Sequence, residues 1–311
     1  MEDYEKTISN CAFSCIMGIK NDFLMPQRMP KNFYQYSALS TFRGVIEHNN
    51  LWATHWAYLN DSKELIKGIE IAKFVHSDPI IRKAFKPYKS FSDFEKIISK
   101  FLQKDRIKNI DAYVLCFSEK KDELNLWRGY GDGYNSIVAA YDVAKIETNV
   151  KAYALQIMGK IVYNEDTQKV MMLTFFGRLC LLIKEIRKRF PKQKENVEKD
   201  MLWYFALGIL ILSLFMKEKS WNEEKEWRIV YLLPSHDVLD FRESDKGFIP
   251  FLHIPIFKEH ALKCINSVRL PKSPDFALRE KAIKMLWEKT CNENKIKRSL
   301  KVEKSSISIV Y

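Results

Sequence analysis

Trp221-Asn222-Glu223-Glu224-Lys225-Glu226-Trp227-Arg228-Ile229-Val230-Tyr231 is the stretch on which the reading of this chain turns. Its acidic and aromatic residues alternate at the two-residue period of a β-strand. That alternation puts Glu224, Glu226 and Arg228 on one face and Lys225, Trp227 and Ile229 on the other. Strand interiors are normally poor in Glu, so the pattern has two explanations. Either the strand lies at a sheet edge with a solvated charge ladder, or it forms the polar floor of a cleft.

The segments before this strand read as helices. Val170 to Ile183 is apolar, and Met201 to Met216 (MLWYFALGILILSLFM) carries no charge at all. The second run falls short of the about 20 residues that cross a bilayer, so a buried core helix is expected and no membrane. The basic tract Lys184–Arg189 between them reads as a helix end or connector broken at Pro191. Farther upstream, strands are expected at Asn32–Tyr36, Leu51–Thr54, Tyr113–Ser118 and Ser136–Tyr141, with a helix over Ser40–His48. Asp61 with Glu64 forms a capping box for a following helix, and residues 78–110 read as a helical lobe. Leu126 to Tyr134 holds three glycines among aromatics and reads as a flexible loop able to approach a ligand. The sum is an α+β fold: one domain over 1–311, a mixed, largely antiparallel sheet, and helical insertions at about 62–110 and 165–217.

Composition narrows the class. The chain has 311 residues, 47% hydrophobic and 13% aromatic, enough for a substantial core and too apolar for disorder. The net charge of +12 suggests an anionic partner. Residues 258–304 hold 13 Lys and Arg against 6 Asp and Glu, so much of the surplus is C-terminal. Six scattered cysteines with no C-x-x-C pair, and no signal-peptide pattern at the N-terminus, suit a reducing cytoplasm. Cys116, inside an apolar run, reads as an inert buried thiol. The six histidines lack zinc-ligand spacing, so no metal is expected, and the common hydrolase and kinase signatures are absent. The residues expected to line one cleft, from their places on or beside successive strands, are Tyr34, Gln35, Tyr36, Thr54, Trp127, Arg128, Glu224 and Glu226.

Four motifs, in order, resemble an uncharacterised bacterial family known as domain of unknown function 2971. They are Tyr34-Gln35-Tyr36; Leu51-Trp52 followed by Leu59-Asn60-Asp61-Ser62-Lys63-Glu64; Cys116-Phe117-Ser118 followed by Leu126-Trp127-Arg128-Gly129-Tyr130; and Trp221-x-x-Glu224-x-Glu226-Trp227-Arg228. The ending Val302–Ile307 is similar to that family's closing strand, and the resemblance runs over about residues 33–311. Two positions depart from the pattern: Gln35, where the family more often has a basic residue, and Ser62, where its turn often has Pro. The family name implies no activity.

The order of elements also resembles the split-sheet ADP-ribosyltransferase fold. That resemblance implies that Gln35, with Tyr34 and Tyr36 beside it, holds the adenosine ribose of NAD. Thr54 or a nearby aromatic packs on nicotinamide, and Glu226 is catalytic with Glu224 as the first Glu of its E-x-E. The His or Arg usual on the first strand is missing here. The implied partners are NAD as substrate, a nucleic-acid or protein acceptor, and a neutralising partner protein, in a toxin or phage-defence role. The competing expectation is a basic nucleic-acid-binding or nuclease-like module, with Trp127 and Tyr130 stacking on bases.

Overall fold

Aromatic and β-branched residues after Pro30 extend the chain as β1 (Asn32–Ala38). A helix, Leu39–His48, then buries Phe42, Val45 and Ile46 and stops at Asn49, whose left-handed φ of 56° suits an asparagine. The chain returns as β2 (Leu51–His55). This computed structural model describes residues 4–59, 64–88, 91, 111–147, 155–232, 239–244 and 247–308. The Asp61 cap with Glu64, and the part of the expected helical lobe over 92–110, lie outside the described residues.

The chain divides into two compact units, one of residues 1–27, 61–110 and 159–222, the other of residues 28–60, 111–158 and 223–311. The first unit is helical. It contains the helices Tyr4–Ile19, Glu64–Ser77, Pro79–Phe85, Glu165–Arg189 and Lys194–Ser213, so the stretches expected as insertions join the N-terminal helix in a unit of their own. Met201, Phe205 and Gly208–Ser213 are buried, as expected of a core helix. Phe205 stacks on Phe175 at 6.0 Å, and Gly208 permits the close approach of Phe175. The basic tract forms the last turn of Glu165–Arg189, where cations meet the negative end of the helix dipole. No helix among the described residues is long and apolar enough to cross a membrane.

The second unit carries the sheet, mixed and mostly antiparallel. The further strands are β3 (Ala112–Ser118), β4 (Ser136–Asp142), β5 (Leu155–Lys160, whose last two residues are counted with the first unit), β6 (Glu226–Leu232), β7 (Leu239–Ser244), β8 (Gly247–Ile254), β9 (Ile265–Leu270) and β10 (Val302–Lys304). The order is β10-β9-β4-β1-β3-β2-β8-β7, with β6 paired to both β3 and β5. β9 and β10 run parallel, whereas β1–β4, β3–β6, β2–β8, β4–β9 and β7–β8 are antiparallel.

β6 corrects two expectations. It is flanked by β3 and β5 and buried at every position, so it is no edge strand. It also starts at Glu226, because Lys225 takes a left-handed φ of 45° and Glu224 ends a 3-10 helix, Lys219–Glu224. Tertiary bonds hold this break: the Ser118 hydroxyl donates to the Glu224 carbonyl at 2.6 Å, and the Glu119 amide to the Lys225 carbonyl at 3.1 Å. The expected glycine loop is corrected as well. Leu124–Tyr130 is a helix that buries Leu126 and Trp127, and only the residues beyond it turn.

Candidate functional site

β1 and β2 both antiparallel-pair with β3, at its two ends. Tyr34 stands opposite Ser118, while Thr54 and His55 stand opposite Val114 and Tyr113. Between these contacts β1 and β2 part, bridged by the Leu39–His48 helix, and a cleft opens in the sheet. Two chambers with shared lining residues occupy it. The inner one, about 40 Å³, is lined by Tyr34, Tyr36, Cys116, Ser118, Tyr130, Glu224 and Glu226 among others. The outer one, about 320 Å³, shares Gln35, Tyr36, Cys116 and Tyr130 and adds Trp52, Thr54, Tyr58 and Arg242.

Register decides which side chains meet there. Paired residues on antiparallel strands share a face, so Tyr34, Ser118 and Glu226 form one row across β1, β3 and β6. Cys116 and Arg228 form the next row of that face, and Thr54 joins it through Val114. Glu224, although off the strand, reaches the same chamber. Gln35 is the correction: alternation turns its side chain to the opposite face, where its Oε1 accepts a 3.3 Å bond from the buried Tyr141 hydroxyl. Gln35 borders the cleft from the strand edge instead of reaching into it.

The floor is a buried charge cluster. Arg228, 0% exposed, grips Glu226 with Nε to Oε1 at 2.7 Å and Nη2 to Oε2 at 3.0 Å. The Tyr130 hydroxyl donates to Glu224 Oε1 at 2.9 Å. Burial pushes the Tyr130 phenol far above its ordinary pKa, and the negative charges of Glu226 and then Glu224 push it further. The Tyr130 oxygen therefore sits in a negative field, which would favour a cationic group beside it.

The remaining expected residues have other duties. Tyr36 presents its ring to the cleft, while its hydroxyl donates to the Lys120 carbonyl and accepts from the Glu123 amide, both at 2.9 Å. Trp127 is fully buried, packs edge-on against Tyr36 at 5.3 Å, and donates to Asp122 Oδ1 at 2.8 Å. Arg128 is exposed and lines neither chamber, because on the Leu124–Tyr130 helix it points away from Trp127 and Tyr130. Trp127 is thus a support beneath the cleft wall and no stacking platform for bases. Sequence reasoning missed Ser118, Tyr58 and Arg242 as lining residues, and Cys116 is half-buried in the cleft where an inert core thiol was expected. Ser118 carried a signal, sharing the strand face of Cys116 in a quoted motif, and so did Tyr130, one helical turn from Leu126 and Trp127. No group of His, Cys, Asp and Glu able to hold a metal occurs among the described residues.

Residues 126–229 match the family described as Protein of unknown function (DUF2971). The match runs from the cleft-wall helix to β6, so it takes in Tyr130, Glu224, Glu226 and Arg228. No curated protein matches the chain, and no solved structure does.

Proposed function

We propose that the cleft binds NAD and that the chain breaks its nicotinamide–ribose bond, by ADP-ribosyl transfer or by hydrolysis. The observation that carries this reading is the buried Glu224–Glu226–Arg228 cluster at the inner end of a tyrosine-lined split in the sheet. With both carboxylates ionised the trio bears one net negative charge, fixed where water is scarce. As the bond breaks, its electron pair leaves with nicotinamide and the ribose C1′ becomes oxocarbenium-like. A preorganised carboxylate beside that carbon stabilises the positive charge. Water or an acceptor hydroxyl, thiol or amine then bonds to C1′ and gives up its proton to solvent. The Arg228 fork holds Glu226 in one rotamer, and Tyr130 holds Glu224, so neither carboxylate must reorganise during the reaction.

The experiment is nicotinamide release from NAD by the full chain and by Glu226→Gln. The amide keeps the size of the side chain but cannot balance the developing charge, so turnover should fall by about 10²–10³ while NAD affinity changes little. A fully active Glu226→Gln variant would remove the carboxylate from the mechanism, and wild-type protein that releases no nicotinamide would end the NAD reading. The basic-module alternative predicts a harmless Glu226→Gln, with salt-dependent nucleic-acid binding lost on charge reversal within 258–304.

A further inference from the structure

Arg242 sits on β7, three strands from β3 by pairing order, and no motif draws attention to it. The register β7–β8–β2 brings it to the outer chamber all the same. Its Nη2 donates to Thr54 Oγ1 at 3.2 Å, and among the described residues its Nε is buried with no hydrogen-bond partner. Burial alone pulls its pKa below the ordinary arginine value. The indole Nε1 of Trp52, lining the same chamber, is likewise buried without a partner. Arg242 is half-buried, and a partly desolvated guanidinium is costly to hold unless an anion completes it. Arg242 itself lines the chamber, and the buried Nε without an acceptor shows that the protein supplies its guanidinium with fewer acceptors than it can use, which favours an anion beside it.

We infer that Arg242 anchors an anion subsite that takes the phosphate or diphosphate of a nucleotide, with Tyr58, Tyr36 and Trp52 offering ring faces to its base or ribose. The chamber volume of about 320 Å³ suits a ligand of that class. The cleft is then polarised, cationic at Arg242 and anionic at Glu224 and Glu226. Thr54, which carries the Arg242 contact, is paired through Val114 to Val230, four residues from Glu226. Two strand spacings and four strand residues separate the backbones by roughly 16 Å, a span that an extended dinucleotide covers. This inference deepens the NAD reading, since it assigns the end of the ligand remote from the bond that breaks.

The test compares ADP with adenosine, using the full chain and calorimetric titration. Wild type should bind ADP more tightly than adenosine, and added salt should narrow the gap. Arg242→Gln should weaken ADP by about tenfold or more and leave adenosine unchanged, with Arg242→Lys intermediate because it keeps the charge and loses the fork. A melting curve for each variant confirms that it is folded, and Thr54→Val, which removes only the acceptor of the Arg242 bond, gives a second, gentler probe. Equal ADP affinity in wild type and Arg242→Gln overturns the subsite, as does wild type that does not distinguish ADP from adenosine. Nicotinamide release, followed in parallel, separates the two ideas. Arg242-dependent ADP binding without any release keeps the subsite and discards NAD cleavage. Release with an unchanged KM in Arg242→Gln keeps cleavage and discards the subsite.

Discussion

Glu226 and Arg228 illustrate what two residues apart on a strand can do when both are buried. Side chains at i and i+2 share a face, and a guanidinium there can reach back to a carboxylate with both arms. The pair is 5% and 1% exposed at its side chains, so solvent screens it little. Removing one partner leaves the other charged and buried, so Arg228→Met should cost about 3–5 kcal/mol. Arg228→Lys should cost less, since an ammonium keeps the charge but makes one contact where the fork makes two. The double variant Arg228→Met with Glu226→Gln should recover much of the loss, which denaturant melts of all four proteins will show as a coupling energy. Strictly additive losses would mean that the pair contributes no mutual stabilisation. This much was legible in the sequence, because period-two alternation fixes the shared face of Glu226 and Arg228. The position of Glu224 was not. Its turn depends on bonds from Ser118 and Glu119, which lie more than a hundred residues away in the chain and leave no local signal.

At the scale of elements, Asp122 is the residue that gathers the cleft wall. It lies between β3 and the Leu124–Tyr130 helix, with a side chain 6% exposed. Its carboxylate accepts from Trp127 Nε1 at 2.8 Å, from the Ser305 hydroxyl at 2.7 Å, and from the Ser306 amide and hydroxyl at 2.8 and 2.9 Å. Arg269 on β9 adds a 3.2 Å ion pair. Helix, β9 and the segment after β10 are thus fastened at one point, and Ile307 packs against the Tyr36–Trp127 cluster. Burial alone would raise the Asp122 pKa, but the bonds from Trp127, Ser305 and Ser306 outweigh it and hold the carboxyl below its ordinary value. A depressed folded value means that unfolding is accompanied by proton uptake on acidification. The contribution of Asp122 is therefore complete above the unfolded value of about 3.9 and is lost as pH falls through the lower folded value. Asp122→Ala should lower stability by roughly 2–4 kcal/mol at neutral pH. Melts across pH 2–7 should show a flatter acid limb for the variant than for wild type; parallel limbs would mean that Asp122 does not couple to folding. The family-like ending Val302–Ile307 marked this segment in the sequence, but its fastening to Asp122 was invisible, since five contacts on one carboxylate depend on where three elements converge.

At the scale of the molecule, the helical unit and the sheet unit divide the labour. Every residue that lines the two cleft chambers belongs to the sheet unit. The helices Glu165–Arg189 and Lys194–Ser213 were foreseeable from long apolar runs, and β1 to β4 from short β-branched and aromatic ones, because each pattern is local. Arg242 was beyond reach, since it arrives at the cleft only through the successive pairings of β7, β8 and β2. The division makes a prediction about Gly208, inside the helical unit. A Cβ there would fall 2.2 Å from the Phe175 ring, which is itself buried and stacked on Phe205. In an open helix, Gly→Ala would gain about 1 kcal/mol from propensity. Against an immobile ring, overpacking costs about 1–3 kcal/mol and wins. Gly208→Ala should therefore melt at lower temperature than wild type. Measured well below that melting temperature, its ADP affinity and its rate of nicotinamide release should match wild type, because no atom lining the cleft has changed. An altered ADP affinity in the folded variant would show instead that packing among the helices helps to shape the site.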